Sequence, residues 1–340
     1  MCAVLGALFT SVSAQWVKQK VDTTASFRGL SVVNEKVVWA SGTGGTVIRT
    51  IDGGKTWDVN IVPGAEKLDF RDIEAFDENE AYILSIGNGE SSRIYHTTNG
   101  GTIWELQFKN ANAKAFFDAI ACWDRNRCIA MSDPVDNKFV LINTIDGGFH
   151  WKPIDTSKMP RTKDGEAAFA ASGTCLITQG KNNAFLVSGG NDARVFRSTD
   201  RGKTWAAFST PIVHGTSGSG IFSITMFNDK NGVIVGGDYE KADQARDSAA
   251  FTKDGGKTWK LGNNLGGYRS GAAIYQGSLV IAVGTNGSDI SSDSGASWKA
   301  DGKQTNLNAI GGYAGARRWS IWGVGVKGLV VNRTVITVAP

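Results

Sequence analysis

Two arginines stand at matching places in repeated segments of the chain and could bind a negatively charged group. Arg28 lies in Phe27-Arg28-Gly29-Leu30 and Arg71 in Phe70-Arg71-Asp72-Ile73, while Arg269 falls at what we interpret as the same point of a later repeat. Guanidinium groups bind carboxylates through two parallel hydrogen bonds. Three converging arginines would therefore hold a carboxylate or an acidic peptide segment.

Acidic and aromatic residues accompany these arginines. Glu166 falls at the matching point of a fourth repeat, and Phe117, Phe222 and Leu307 fill the remaining copies. With Asp72, Asp118 and Tyr239 they complete our candidate ligand site. A second interpretation stays open, in which the charged residues pair with one another and line a wet channel: Arg28, Arg71, Asp72, Glu74, Asp118 and Glu166.

An eight-residue motif must provide the framework that positions this site. It reads Ser or Thr, any residue, Asp or Asn, any residue, Gly, two free positions and Trp. Its six copies are Thr50–Trp57, Thr97–Trp104, Thr144–Trp151, Ser198–Trp205, Thr252–Trp259 and Ser291–Trp298.

Each part of the motif has a mechanical reason. A short polar side chain at the start of a turn accepts hydrogen bonds from nearby backbone N–H groups, glycine supplies the positive φ of a tight hairpin, and tryptophan buries a large ring. We predict a structural staple between two strands and no catalytic role. The residues concerned are Asp52, Trp57, Asn99, Trp104, Asp146, Trp151, Asp200, Trp205, Asp254, Trp259, Asp293 and Trp298.

The spacing of the tryptophans, 39 to 54 residues, suits one four-stranded blade per copy of the motif. We therefore predict an all-β chain, residues 15–340, folded as a seven-bladed β-propeller of antiparallel blades. The N-terminal strand, with Trp16 in the tryptophan position, would complete the C-terminal blade and remove the exposed edges. The alternative is six blades with a decorated terminus. The predicted inner strands are Phe27–Val33, Phe70–Phe76, Phe116–Trp123, Glu166–Ala171, Ile221–Phe227, Arg269–Tyr275 and Leu307–Tyr313.

In such an architecture the motifs lie on one face, and the longer loops lie on the opposite face. We expect that face to bind a ligand, since function collects on loops held by a rigid scaffold; the alternative is that the loops are tolerated insertions. They are Gly87–Ser92, Ser132–Asp136, Thr156–Gly165, Thr210–Gly220 and Asp238–Asp247.

Bulk composition and the N-terminus bound the class of protein. A net charge of +4 without a basic run gives little support to a nucleic-acid partner, and no later stretch is apolar enough to span a membrane. Residues 1–14 are typical of a secretory signal ending at Val12-Ser13-Ala14, so we expect a periplasmic or secreted, monomeric protein. The alternative is an ordinary buried first strand.

The cysteines and histidines offer no metal or cofactor site. Cys122 and Cys128 flank a predicted hairpin turn, where they would form a disulfide in an oxidising compartment or remain two buried thiols. Cys175 is expected in the core. The three histidines, at positions 96, 150 and 214, are scattered along the chain, so we predict neither a metal nor a cofactor.

Two family resemblances rest on these motifs. The repeated turn resembles the Asp-box, or bacterial neuraminidase repeat, which in other proteins joins the third and fourth strands of a propeller blade. Sialidases carry it together with an arginine triad, a Tyr/Glu pair and an acid/base Asp. Here Arg28, Arg71 and Arg269 would be the triad, but the Phe-Arg-Ile-Pro motif of sialidases is absent.

A second resemblance covers nearly the whole of residues 15–340. The run from Phe27 to Trp57, with Phe70–Phe76, Ser132–Val135 and Val195–Trp205, is similar to bacterial relatives of the photosystem II stability/assembly factor. That family is seven-bladed, exported and non-catalytic, and its photosynthetic members use an arginine-rich patch in assembling a membrane complex. The resemblance implies a binding or assembly module for a protein segment or acidic ligand; the alternative is a sialidase-like glycoside hydrolase acting on glycans.

Overall fold

The repeated motifs fold into tight turns that are cross-linked by their own side chains. In the first turn the Thr50 hydroxyl donates to Asp52 Oδ1 (2.9 Å) and accepts from the Gly54 N–H (2.9 Å). The Asp52 carboxylate also accepts from the Thr56 N–H (3.0 Å) and hydroxyl (2.7 Å). These bonds, the Thr56 hydroxyl first, lower the pKa of Asp52 to about 2. Gly53 and Gly54 have φ of 75° and 87°, as predicted for the glycines of the hairpin.

Every one of these turns joins the third and fourth strands of a blade. The computed structural model describes residues 15–302, 305–315 and 318–336, and in these the chain forms seven antiparallel four-stranded blades. The blades are numbered in chain order, and the strands of each are given from the channel outward. Blade 1 consists of Phe27–Val32, Val38–Gly42, Thr46–Thr50 and Asp58–Ile61, and blade 2 of Phe70–Ala75, Ala81–Ser85, Arg93–Thr97 and Glu105–Lys109. Blade 3 consists of Phe117–Asp124, Arg127–Val135, Lys138–Thr144 and Lys152–Pro153.

The later blades follow the same order. Blades 4 to 6 are Leu176–Gln179, Asn183–Val187, Arg194–Ser198 and Ala206–Ser209; Ser219–Met226, Gly232–Asp238, Ala249–Thr252 and Lys260–Leu261; and Gly271–Gln276, Leu279–Gly284, Gly287–Ser291 and Lys299–Ala300. Blade 7 consists of Leu307–Ala314, Arg318–Gly325, Val330–Ile336 and, from the other end of the chain, Val17–Lys18. Short 3₁₀ helices occupy Gly89–Ser91 and Tyr239–Lys241.

The N-terminal strand closes the ring as predicted. Val17 pairs with Asn332 and Lys18 with Val331 in antiparallel register. The inner strands of blades 1 and 7 also lie side by side, like those of the other neighbouring blades. The ring is therefore closed, and the prediction of seven blades is confirmed. Residues 1–14, the predicted signal, lie outside the described residues.

Burial follows the layering of the blades. Second strands such as Val38–Gly42 and Ala81–Ser85 are buried at every position because neighbouring blades cover both of their faces. Outer strands such as Asp58–Ile61 are largely exposed. The seven-bladed core is thus built mainly from second and third strands.

The motif tryptophans pack against the preceding blade, a contact that the prediction of a staple between two strands did not include. Trp57 meets Trp322 of blade 7 edge-on at 5.6 Å, and Trp104 meets Trp39 of blade 1 at 6.2 Å. The reason is geometric: the turn folds back over the blade edge, so its ring covers the second strand of the neighbouring blade. Each motif therefore joins two blades.

One predicted inner strand is wrong. Glu166–Ala171 was expected to be the innermost strand of blade 4, but that strand is Leu176–Gln179. Glu166–Ala167 instead pairs with Gly189–Gly190 beside the sheet of blade 5. The inserted residues that follow Ala167 cross the end of the channel.

Cys122 and Cys128 face each other in register on the first two strands of blade 3 and form a disulfide. Cys175 is a free, buried cysteine. Within the described ranges, no helix is long and apolar enough to cross a membrane. No cluster of three or more potential metal ligands occurs in that same part of the chain.

Candidate functional site: the mouth of the central channel

A bulge at the start of the inner strands aims side chains into the channel mouth. In blade 1, Phe27 pairs with Gly42 and Gly29 with Ser41, so Arg28 is the extra residue that pairs with nothing. In blade 2 the same irregularity leaves out Arg71. Bulges redirect a side chain in this way. Both arginines line a pocket of about 420 Å³ on the face opposite the repeated turns.

Three other blades fill the same bulged position with different residues. They are Asp118 in blade 3, Phe222 in blade 5 and Asn308 in blade 7, and all three line the pocket. The prediction placed Phe117 and Leu307 at this position, one residue too early. Those two side chains are fully buried beneath the mouth.

Arg269 is not part of the arginine cluster, which corrects the sequence prediction. It is 2% exposed and forms an ion pair with Asp289 within blade 6, with an Nε–Oδ2 distance of 2.6 Å. Its Nη1 donates to Asn286 Oδ1 (2.6 Å) and to the Tyr268 carbonyl (2.7 Å). The physical reason is register: Arg269 occupies the inward position that Phe27 holds in blade 1, so it points into the core.

Glu166 is also engaged elsewhere. Glu166 is 4% exposed. Its carboxylate accepts a hydrogen bond from the Ser188 hydroxyl (2.6 Å) and forms an ion pair with Arg194. Asp72 is buried as well and accepts from the N–H groups of Ile73 and Ile120, both at 2.8 Å. Burial raises the pKa of Asp72 to about 7, although the two hydrogen bonds by themselves would lower it. Neither carboxylate lines the mouth pocket; Asp72 lines a second cavity, of about 440 Å³.

The segment Ala168–Ala171 lies across the mouth and contacts several blades. Arg28 Nη1 donates to the Ala171 carbonyl at 3.1 Å, and Arg71 Nη1 donates to the Ala170 carbonyl at 3.2 Å. The Ala168 N–H donates to Asp133 Oδ1 at 2.8 Å. An irregular stretch of main chain is thereby held by side chains from blades 1, 2 and 3.

The two arginines retain unused donors. Arg71 also forms an ion pair with Asp69 through Nε (2.8 Å). Among the nitrogens of the Arg28 guanidinium, Nη1 alone has a hydrogen-bond partner within the described residues. Burial lowers the pKa of Arg28, and the neighbouring charge of Arg71 lowers it further. A bound anion would relieve this repulsion.

Two carboxyl groups lie beside the arginines. Asp118 is 1% exposed, and its Oδ2 has no partner among the described residues. Burial raises the pKa of Asp118 well above its usual value, and the charge of Asp133 raises it further. A hydrogen bond from the Asp133 N–H and the charge of Arg71 lower it by less. Burial also raises the pKa of Asp133 to about 6. Asp118 therefore places a buried carboxyl with a raised pKa beside the two arginines.

Aromatic rings form a further part of the pocket lining. Phe169 stacks on Phe222 at 3.9 Å with an interplanar angle of 6°, and Tyr268 meets Phe222 edge-on at 4.7 Å. Tyr239, on the 3₁₀ helix, is 49% exposed and lies 6.2 Å from Phe222. Burial raises the pKa of Tyr268 strongly, although the Arg28 charge opposes this.

Of the seven ligand-site residues predicted from the sequence, four line the pocket at the mouth: Arg28, Arg71, Asp118 and Tyr239. Sequence reasoning missed Asp133, Phe169 and Asn308 as members of the pocket. Asp133 carried a signal, because it belongs to a loop assigned to this face. Phe169 carried none, because its position depends on how the inserted segment crosses the channel.

Comparisons with known proteins agree with the predicted resemblance. The model of the photosynthesis system II assembly factor YCF48 family matches residues 9–112. No curated protein sequence was found to match the chain.

Solved structures match over almost the whole length. YCF48 from Cyanidioschyzon merolae is 18% identical, with 94% of this chain and 99% of that chain covered and a TM-score of 0.67. A structure of YCF48 bound to D1 peptide is also 18% identical, with 95% and 97% covered and a TM-score of 0.66. The structure of U3-55K is 10% identical, with 95% and 99% covered and a TM-score of 0.61.

Identities this low show the fold alone, since unrelated functions share the propeller scaffold. The family match rests on blades 1 and 2, which carry Arg28 and Arg71. The predicted resemblance to the photosystem II assembly factor is therefore confirmed for residues 9–112, within a propeller that shares the YCF48 fold along nearly its whole length.

Proposed function

We propose that this chain is a non-catalytic, exported binding module that holds an acidic segment of a partner protein at the channel mouth. The observation that carries the proposal is the pair Arg28 and Arg71. Both already bind main-chain carbonyls of Ala170 and Ala171, and both keep further N–H donors. The site thus binds main-chain carbonyls of an irregular segment and adds charge for carboxylates.

The aromatic rings supply the apolar half of such a site. Phe222, Tyr239 and Tyr268 line the same pocket as the arginines, and tyrosine and arginine are typical anchors of protein interfaces. That YCF48 has been solved with a D1 peptide supports a peptide as the class of ligand.

Export and a monomeric state belong to the same proposal. The apolar N-terminal residues 1–14 and the disulfide between Cys122 and Cys128 both suit an oxidising compartment. Fractionation of cells that express the full chain would test export: recovery of the protein in the cytoplasm with unprocessed residues 1–14 would contradict it. Light scattering of the purified chain tests the monomer.

Binding can be measured with a fluorescent decapeptide of alternating Ala and Glu, beside the same peptide with Gln for Glu and an amidated end. We expect the acidic peptide to bind more tightly, and Arg28→Gln with Arg71→Gln to weaken it by about tenfold or more, since hydrogen bonds to charged groups contribute about 1.5–3 kcal/mol each. Arg246→Gln, an exposed arginine on the same face, is the matched control. Equal binding of both peptides would contradict the charge requirement.

The hydrolase alternative has weaker support. It needs two carboxyl groups, or a Tyr/Glu pair, at catalytic separation in an open cleft. Glu166 is held by Arg194, and Asp72 by two backbone N–H groups. Turnover of a fluorogenic sialoside that is lost in Asp118→Asn would favour this alternative over the binding module.

A further inference from the structure

The repeated turns differ around the ring at positions that the turn itself does not use. The hydrogen bonds and packing of the turn use its first, third, fifth and eighth residues and the N–H of the seventh, whose hydroxyl also donates where that residue is Ser or Thr. The side chains at the second and sixth positions are left free, as is the seventh where it is Ile103. In blades 1 to 3 these free positions include four large apolar side chains that are 50% to 79% exposed, Ile51, Ile103, Ile145 and Phe149, beside Lys55, Thr98 and Thr102. In blades 4 and 5 the second and sixth positions carry Thr199, Lys203, Lys253 and Lys257 instead.

All of these side chains emerge on one face. Each turn joins the third to the fourth strand of its blade, and the strands of every blade run antiparallel in the same order. The turns therefore share the face opposite the arginine pocket. We call this the turn face, defined by the six turns Thr50–Trp57 through Ser291–Trp298.

The turn face of blades 4 and 5 is strongly cationic. The second, fourth and sixth turn positions and the adjacent first-to-second strand turns place six exposed or half-exposed cations there: Lys181, Arg201, Lys203, Lys230, Lys253 and Lys257. The carboxylate of Asp254 in the same region is folded back onto its own turn, where it accepts from the Thr258 N–H (2.9 Å) and hydroxyl (2.7 Å). The Asp200 carboxylate is folded back in the same way, and Asp229 is exposed, so six cations stand against three carboxylates in this sector.

A groove lies where the apolar and cationic sectors meet. Its volume is about 760 Å³, and its lining includes Ile145 and Ile154 on the side of blade 3 and Arg201 and Lys203 on the side of blade 4. An apolar strip beside a pair of cations fits a molecule that has an acyl chain and an anionic headgroup. The turn face as a whole likewise has exposed apolar side chains on blades 1 to 3 and cations on blades 4 and 5.

We propose that the turn face docks on an anionic lipid bilayer, with the apolar side chains of blades 1 to 3 entering the headgroup boundary and the cations of blades 4 and 5 lying against anionic headgroups. Apolar insertion combined with electrostatic attraction is the physical basis of peripheral membrane binding. The apolar side chains stand on separate turn tips from three blades, an arrangement that suits a fluid surface better than the closely fitted pocket of a protein partner. This inference is independent of the peptide site on the opposite face.

Vesicle sedimentation tests the proposal with the full chain. Vesicles of phosphatidylcholine alone are compared with vesicles that contain phosphatidylglycerol, at low and high salt. We expect binding to the anionic vesicles only and its loss at 0.5 M NaCl, where the Debye length falls to about 4 Å. Ile145→Ser with Phe149→Ser, and separately Lys203→Gln with Lys257→Gln, should each reduce binding at least tenfold, since a cation near an anionic surface contributes about fivefold.

The control is Ile61→Ser, which removes an exposed isoleucine (57%) at the far end of an outer strand. It should bind vesicles like the wild type. Failure of the wild type to sediment with anionic vesicles, equal binding to neutral vesicles, or full binding by either double variant would overturn the proposal. Far-ultraviolet circular dichroism of each variant establishes that a loss of binding is not a loss of fold.

Discussion

Arg28 and Ala171 are 143 residues apart in the sequence, and a hydrogen bond of 3.1 Å from Arg28 Nη1 to the Ala171 carbonyl joins them across the channel mouth. Arg71 makes the parallel contact to Ala170. Two bulged residues from neighbouring blades therefore fix a segment that belongs to neither blade.

Arg28→Ala should loosen this segment without unfolding the propeller. The variant removes a charged donor from the Ala171 carbonyl, and such a bond contributes about 1.5–3 kcal/mol. We expect amide hydrogen exchange at Ala168 and Ala171 to become on the order of tenfold faster. Unchanged exchange would mean that Asp133 and the Phe169–Phe222 stack hold the segment by themselves; Arg246→Ala provides the control.

Trp205→Ala should destabilise the fold by about 3–5 kcal/mol, because it empties a large buried site. Trp205 is 8% exposed, and its indole N–H donates to the Gly202 carbonyl at 2.9 Å. Trp57 is only half-buried, and its Nε1 has no acceptor in the described residues. Trp205→Phe should therefore cost more than Trp57→Phe in urea denaturation. The reverse order would contradict the assigned role of the hydrogen bond.

The stability of the protein should fall as the pH rises from about 4 to about 7. The pKa of Asp72 is about 7 in the folded protein, raised chiefly by burial, while an unfolded aspartate titrates near 3.9. The folded state thus binds more protons than the unfolded state in this window, and raising the pH favours unfolding.

Asp72→Asn should flatten this dependence, since asparagine does not titrate. Urea denaturation of both proteins at pH 5 and pH 7.5 measures the difference. A wild-type protein that is more stable at pH 7.5 than at pH 5 would contradict the assignment. Asp52→Asn is a useful comparison, because the lowered pKa of Asp52 places its effect below pH 4 instead.

Removal of residues 1–20 should destabilise the ring. It deletes Val17–Lys18 and leaves Val330–Ile336 as an unpaired edge, which favours association between chains. We expect a lower melting temperature and aggregation on heating, while removal of residues 1–14 alone should have neither effect. Identical melting of the two truncated proteins would show that the closing strand is dispensable.

The fold was predictable because its information is local and repeated. A turn such as Thr50–Trp57 contains all of its own hydrogen-bond partners, so each copy marks one blade wherever it occurs. The run Gln15-Trp16-Val17-Lys18 looks like the strand that follows a motif, and the C-terminal blade lacks a fourth strand, so the two together assigned the closing strand.

The site was predictable only in part because a bulge shifts the register by one residue. Arg28 and Arg269 both follow an aromatic residue near the start of an inner strand, but Arg28 falls on a bulge, whereas Arg269 precedes the strand Gly271–Gln276 and pairs with Asp289 in the core. Spacing along the chain does not distinguish the two. The pairing with the second strand does.

The amino-acid sequence by itself determined the all-β class, the blades and the closure of the ring, because each depends on turns whose residues are neighbours in the chain. Tertiary structure alone decided which charged residues meet at the mouth and which are neutralised in the core. Arg28, Arg71, Asp118 and Asp133 come from three blades, and the segment Ala168–Ala171 reaches them from the insertion between blades 3 and 4. Contacts between such distant residues follow from the closed geometry of the ring.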